Sequence, residues 1–313
     1  MEIFGPVKSR RFGMSLGINH LPPKLCSYGC VYCQLGRTNR MRIAPAAYSQ
    51  PGEILQAVKA HLDELKTPPD YLTFVSNGEP SLDANLGEAI DGLKKLGIKI
   101  AVISNASLLW LPEVRARLAQ ADAVSVKIDA LDEETWRRVN RPHRKLKLAQ
   151  VLTGLQTFAQ TYPGRLLSET MLVRDLNTAP EHLRACAAFI AEINPEMAYL
   201  ALPLRAPAES WVEAPSAHEQ EAALRVFTQV FSRSALLGEL PPTDLAGASD
   251  PFNALLETIN VHPMEREEVL AYLKKHAIPA EALDELIQRG RVRASDYRDK
   301  TFYAADYSFI KKI

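Results

Sequence analysis

Six short runs rich in β-branched and apolar residues, each followed by a longer stretch of helical periodicity, constrain this chain more than any other feature. The runs fall near 12–18, 71–76, 98–104, 122–128, 165–173 and 197–203. The helical stretches fall near 53–66, 84–96, 111–119, 145–161, 179–193 and 216–234. Repetition of that order predicts βα units and a parallel sheet. Six such units make an open, partial (β/α)6 barrel, so the fold class is α/β. Parallel α/β folds bind their ligands at the carboxyl ends of the strands, which makes the residues just after each run the ones to interrogate.

The periodicity stops at LPPTDLAGASDP, residues 240–251, a Pro-, Ala- and Gly-rich stretch that reads as a linker. The expected organisation is therefore a barrel over 1–239, a linker over 240–251 and a small domain over 252–313. In the last segment, short helices up to about 289 precede a β-hairpin turning near Tyr297-Arg298-Asp299-Lys300. That order predicts a winged-helix-like domain. Its ten Lys/Arg are balanced by ten Asp/Glu, so it lacks the net basic surface of a DNA reader. At 313 residues, 47% hydrophobic and 24% charged, the chain is neither disordered nor fibrous and buries its core without disulfides. It has no run of eighteen apolar residues and no secretory signal, so a cytoplasmic protein with no membrane partner is expected.

Three of the four cysteines, Cys26, Cys30 and Cys33, form a C-x3-C-x2-C run directly after the first strand. In a reducing compartment such crowding favours a metal site over disulfides. Three thiolates can ligate three irons of a [4Fe–4S] cubane and leave the fourth open to a small molecule. Zinc held by the three cysteines with His20 or another residue is the alternative. The fourth, Cys186, lies in the helical segment HLRACAAFIAEI, where a small apolar side chain fits a core. One cluster is therefore the ceiling.

The C-x3-C-x2-C run with Tyr32 before its last cysteine resembles the signature of the radical S-adenosylmethionine (radical SAM) superfamily. The second strand ends in Ser76-Asn77-Gly78-Glu79-Pro80, similar to the family motif that contacts the cofactor's amino group. The resemblance implies that Asn77, Gly78, Glu79 and Pro80 bind S-adenosylmethionine. It further implies polar cofactor contacts from Ser104, Asn105 and Asp129 at later strand ends. Glu169 and Asn177 are comparable positions, for cofactor or substrate. Lys127 and Asp129, two apart on one strand face, are also placed to pair with each other. The implied chemistry is one-electron cleavage of S-adenosylmethionine to a 5′-deoxyadenosyl radical, with the electron supplied by a reductant such as flavodoxin or ferredoxin.

Within the superfamily, SRRFGMSLGIN, CSYGCVYCQLGRT, NRPH and Arg205-Ala-Pro-Ala-Glu look like proteins similar to wyosine-type tRNA-modifying synthases. The chain departs from those synthases in lacking the cysteines that hold their second cluster. Its formal net charge is zero, yet residues 1–45 carry seven Lys/Arg against one acid, and TWRRVNRPHRKLK at 135–147 carries six against none. Such segments attract phosphates. Two enzymatic readings follow: modification of a tRNA base, or of a small anionic metabolite held by Arg137, Arg141 or Arg205. A nonenzymatic Fe–S sensor governing a DNA-binding winged helix is the reading from a different class.

Overall fold

The computed structural model describes residues 1–38, 40–238 and 250–307. The chain opens with β1 (Glu2–Ser9) and β2 (Gly13–Asn19), then the cysteine loop with its two short strands β3 (Leu25–Cys26) and β4 (Arg40–Met41). Next come α1 (Pro51–Asp63), β5 (Tyr71–Phe74), α2 (Leu86–Lys94), β6 (Lys99–Ser104), α3 (Pro112–Leu118) and β7 (Ala123–Lys127). They are followed by α4 (Glu133–Val139), α5 (Leu148–Thr161), β8 (Arg165–Met171), α6 (Pro180–Ile193), β9 (Met197–Ala201), α7 (Ala217–Val230) and β10 (Ser234–Leu236). The C-terminal part contains α8 (Pro251–Val261), β11 (Met264–Glu265), α9 (Arg266–Lys275), α10 (Glu281–Gln288), β12 (Val292–Tyr297) and β13 (Lys300–Ala305).

Eight strands form one open sheet in the order β1-β2-β5-β6-β7-β8-β9-β10. Only β1 runs antiparallel to its neighbour; from β2 to β10 every pairing is parallel. The six expected strands are β2, β5, β6, β7, β8 and β9, and the architecture is the partial barrel that the alternation implies. Side chains alternate across it. Leu72, Ile100, Val102, Val124 and Val126 belong to the main apolar cluster, together with Ile90, Leu155 and Ile190 of the helices. On the other face Phe12, in the β1–β2 turn, is buried with Tyr71, Ala101, Ala123 and Leu167. The turn thus folds into the concave side of the sheet and plugs one end of the barrel.

Local chemistry sets the helix ends. Proline stands in the first turn of α1, α3, α6 and α8, where its missing N–H costs nothing. Ser216 and Glu219 make a capping box on α7. Asn194, left-handed at φ 47°, ends α6 just before Pro195.

Besides the two-residue strands β3, β4 and β11, three elements escaped the sequence reading. In β1, Pro6 interrupts the run and the register shifts between Phe4 and Val7, which an edge strand tolerates. β10 is only three residues long, and it takes the end of the helix expected to reach 234. α4 overlaps the start of a segment, 135–147, read only as a charge run. Its signals are Asp132, which accepts from the Thr135 N–H at 2.8 Å, and two glutamates in its first turn.

Most of the expected linker, 240–249, lies outside the described residues. Asp250 and Pro251 begin α8. Leu255, Ile259, Val269, Leu273 and Leu283 form a separate apolar cluster with Tyr303, and Val7 of β1 packs against it. β11, β13 and β12 make a three-stranded antiparallel sheet. The hairpin turns at Arg298–Asp299, both at positive φ, as the two-residue connection requires.

Candidate active site

Beyond its short β3–β4 pairing, the cysteine loop is held by backbone hydrogen bonds to distant segments. Gly29 N–H donates to Asn140 O at 3.0 Å, Val31 to Val139 O at 2.9 Å and His143 to Ser27 O at 2.9 Å. Residues 139–143, which include the NRPH segment, therefore clamp the loop. From the other side the Ser76–Pro80 turn is stitched to it. Lys24 N–H donates to Asn77 O at 2.8 Å, and Glu79 N–H to Leu25 O at 3.0 Å. A Cβ on Gly78 would stand 1.7 Å from the Leu25 carbonyl oxygen, so glycine is required for this approach.

All three cysteines line one cavity of about 360 Å3, with Asn77, Gly78, Glu79, Ser104 and Asn105 on its wall. Each sulfur meets one side-chain N–H donor. Asn105 Nδ2 reaches Cys26 Sγ at 3.6 Å, Asn140 Nδ2 reaches Cys30 Sγ at 3.5 Å, and Lys24 Nζ reaches Cys33 Sγ at 3.8 Å. Burial pushes the Cys26 and Cys30 thiols up, Cys30 to about 12, and Glu79 and Asp129 respectively add to the effect. A cationic metal centre reverses that preference and favours thiolate. Among the described residues no three His, Cys, Asp or Glu side chains gather to hold a single ion. Thiolates on separate irons of a cubane need no such gathering. The donor set thus fits a cluster, with N–H groups directed at the ligating sulfurs.

Glu79 sits at the centre of the turn. Its carboxylate accepts from Ser104 Oγ at 2.6 Å, Asn105 N–H at 2.6 Å and Ser81 N–H at 3.0 Å. Those bonds join the Ser76–Pro80 turn to the end of β6, two places the sequence singled out separately. Burial raises the Glu79 pKa, and the three donors oppose the rise. A carboxylate has about four acceptor sites, so one is left for a ligand. Pro80 is buried and begins a short 3-10 turn after Glu79.

Several expected positions lie elsewhere. Asp129 is buried outside the cavity wall. It accepts from Tyr32 Oη, from Asn140 Nδ2 at 2.6 Å and from Met171 N–H at 2.8 Å. Asn177 braces the same loop through Asp129 O at 2.9 Å and Met171 O at 2.8 Å. Arg137 pairs with Glu133 at 3.0 Å on the exposed side of α4, and Arg141 joins Arg37 on Glu209. Donors of the chain thus already bind the Asp129 carboxylate, and carbonyls or carboxylates of the chain already bind Asn177, Arg137 and Arg141. His20, the alternative metal ligand, contacts Ser76 Oγ at 3.0 Å and faces Asp83 at 3.6 Å, outside the cavity wall.

Glu169 and Arg205 do line the cavity, accompanied by residues the sequence did not single out as site residues: Lys24, Arg10, Arg11, Lys127 and His262. Lys127 pairs with Glu169 rather than with Asp129, and Arg11 binds the same carboxylate. Burial alone would push Glu169 up, but Arg11 and Lys127 override it and bring it down to about 2. Its contribution to stability is therefore present above the ordinary value of 4.5 and lost as pH falls toward 2. Glu169→Gln leaves two part-buried cations without their counter-charge and is expected to cost about 2 kcal/mol in urea unfolding. The variant should also lose the part of the acid-dependent destabilisation that Glu169 provides.

A radical SAM superfamily model matches residues 21–185. A UPF0026 protein of Methanocaldococcus jannaschii is 37% identical over 303 residues, covering 96% of this chain and 94% of that one. Among solved structures, TYW1 with a lysine-pyruvate adduct bound superposes with TM-score 0.51 at 16% identity, over 69% of this chain and 73% of that chain. Streptococcus suis SuiB bound to S-adenosylmethionine gives TM-score 0.54 at 13% identity, over 71% of this chain and 51% of that one. At these identities the two structures speak for the fold, and the family implies a [4Fe–4S] cluster and S-adenosylmethionine. Among the described residues no helix is long and apolar enough to cross a membrane. With the sulfur-lined cavity and the glycine-tight glutamate turn in place, the chain belongs to the radical SAM superfamily of enzymes, among the UPF0026 proteins.

Proposed function

We propose that this enzyme holds a single [4Fe–4S] cluster on Cys26, Cys30 and Cys33 and modifies an anionic substrate inside the cavity. The observation that carries the reading is the convergence of three N–H-bonded sulfurs and the Glu79 turn on one wall. The cluster, when bound, supplies the electron that cleaves S-adenosylmethionine to methionine and a 5′-deoxyadenosyl radical. Gly78 lets the backbone approach the cysteine loop, and Glu79 offers its remaining acceptor to the cofactor's ammonium. Ser104 and Asn105 fix that carboxylate, and Asn105, Asn140 and Lys24 stabilise thiolate charge. Cys186, buried in α6, is left as a core residue, which supports one cluster. A one-electron donor such as flavodoxin or ferredoxin, in a reducing cytoplasm, completes the scheme.

Of the two substrate classes, a small anionic metabolite suits the geometry better. Arg137, Arg138 and Arg141 of the second basic segment are spent on Glu133, Glu134 and Glu209, whereas Arg10, Arg11, Lys127 and Arg205 face inward. A tRNA base remains the second reading, favoured by an outer cluster of Arg42, Arg144 and Lys145. These residues are close enough to His143 to lower its pKa after burial has done so, and His143 is bonded to the cysteine loop. The C-terminal order helix, strand, helix, helix, strand, strand supports a winged-helix module. Val261 and His262 lie on the cavity wall, and Tyr307 Oη accepts from Asn77 Nδ2 at 2.6 Å. This contribution to the wall favours a part in the enzyme over that of a sensor's DNA reader.

Anaerobic reconstitution with iron and sulfide, then incubation with S-adenosylmethionine and dithionite, should yield 5′-deoxyadenosine. No such product from protein with its iron bound overturns the enzymatic reading. Retention of tRNA at low salt, falling steeply as salt is added, would move the substrate to RNA.

A further inference from the structure

Arg10 and Arg205 stand at opposite ends of the barrel sequence yet share the cavity. Arg10, in the β1–β2 turn, donates from Nη1 to Gly238 O at 3.0 Å and Leu237 O at 3.3 Å, carbonyls just beyond β10. It thereby bridges the two edges of the open sheet. Arg205, after β9, donates from Nε to Pro263 O at 2.7 Å and from Nη1 to Gln34 Oε1 at 3.3 Å, while Nη2 meets His262 Nε2. Burial drives His262 well below its ordinary value, with Arg205 and Arg10 adding to it, so the imidazole is neutral and accepts. Every hydrogen-bond partner of these two guanidiniums is uncharged, and the nearest opposing carboxylates, Glu169 for Arg10 and Glu268 for Arg205, act only at a distance.

The charge count of the wall is lopsided. Lys8, Arg10, Arg11, Lys24, Lys127 and Arg205 face Glu79 and Glu169. Glu169 is taken by Arg11 and Lys127, and Glu79 by the donors of its own turn. Among the described residues neither Arg10 nor Arg205 has a carboxylate at ion-pair distance. Burial lowers both, Arg205 to about 9, and Arg10 adds to the effect on Arg205 by repulsion. Two part-buried guanidiniums that repel each other are costly to keep, and a shared oxyanion relieves that cost with paired N–H donors.

We propose that Arg10 and Arg205 form an oxyanion subsite, extended by Lys8, that takes a terminal phosphate or carboxylate of the substrate. The proposal deepens the radical-enzyme reading and rests on it. His262 and Pro263 fix Arg205 from the C-terminal part, which assigns that part a role in substrate recognition. A cavity of about 360 Å3 walled in this way suits a terminal oxyanion on a small molecule better than the backbone of a folded nucleic acid.

The test uses reconstituted holoenzyme kept anaerobic with saturating S-adenosylmethionine. Inorganic phosphate and acetate are titrated separately while thermal unfolding is followed. Saturable stabilisation is expected from at least one, and the stronger of the two identifies the group. R10Q and R205Q should each weaken that response at least 10-fold, whereas R225Q, on the exposed face of α7, should not change it. If a glutamine variant does not fold, R10K or R205K replaces it and should weaken the response at least 3-fold, since lysine cannot donate bidentately. Equal responses in variants and wild type, no saturable response to either anion, or a response found only in a parallel titration without S-adenosylmethionine would overturn the subsite. The last result would give the pair to the cofactor's own carboxylate. Formation of 5′-deoxyadenosine by R10Q and R205Q is measured in parallel, so a failed subsite is distinguishable from a failed radical enzyme.

Discussion

Cys30→Ala is expected to abolish 5′-deoxyadenosine formation, while Cys186→Ala leaves it within about 2-fold of wild type. Cys30 lines the cavity and meets Asn140 Nδ2 at 3.5 Å. Its loss removes one of three thiolates, and a cubane retained by two is held too weakly to keep its iron. Cys186 is buried among the apolar side chains of α6. Its truncation leaves a small void, costing on the order of 1 kcal/mol of stability. Iron and sulfide content separates the two outcomes directly. Cys30→Ala should lose bound iron, and Cys186→Ala should keep it with a slightly lower melting temperature. Equal losses in both would mean that Cys186 is a ligand and that the cavity is not the cluster site.

The difference between these cysteines was legible in the sequence because it depends on local order. Three thiols within eight positions after a strand have few uses in a reducing compartment, and a lone cysteine at a helical apolar position has one common use. The Ser76–Pro80 turn was legible for a related reason. A glycine and a glutamate after a strand gained meaning from the cysteines that precede them. The barrel followed from the alternation of runs, and its strands lie within two residues of their expected ends.

What escaped depends on which distant groups meet. Asp129, Asn177, Arg137 and Arg141 have the chemistry of ligand contacts, but each already has partners in the chain: Tyr32 and Asn140 for Asp129, Met171 for Asn177, Glu133 one turn back on α4 for Arg137, and Glu209 for Arg141. Residue type cannot show whether a charge is already paired. The two basic segments illustrate the point. Although both are rich in arginine, the first sends Arg10 and Arg11 into the barrel while the second builds ion pairs on the outside of α4. Asn140 shows the reverse failure, since nothing in NRPH says that its amide will reach both Cys30 Sγ and Asp129. The C-terminal hairpin was readable at its turn, but its placement against the barrel was not. That depends on Val7 and α8 meeting across β1.

Gly78→Ala is expected to produce the second large loss, through geometry alone. The added methyl would lie 1.7 Å from Leu25 O and 2.6 Å from Leu25 C, and it cannot turn aside because both neighbours are backbone. Relief requires the Ser76–Pro80 turn and the Leu25–Cys26 strand to separate by more than 1 Å. The Glu79 N–H bond to Leu25 O and the Lys24 N–H bond to Asn77 O span that same gap. Their loss moves Glu79 away from Cys26 and the cysteine loop away from its clamp. A misplacement of about 1 Å at a reacting centre costs on the order of 10²-fold in rate, and 5′-deoxyadenosine formation should fall by at least that much. Gly52→Ala is the control. That glycine stands in the first turn of α1 with nothing within 4 Å of its added carbon, so alanine there should leave activity unchanged and stabilise the helix by up to about 1 kcal/mol. A fully active Gly78→Ala enzyme would show that the turn and the cysteine loop are not in contact during turnover, and would remove the geometric basis for placing Glu79 beside the cluster.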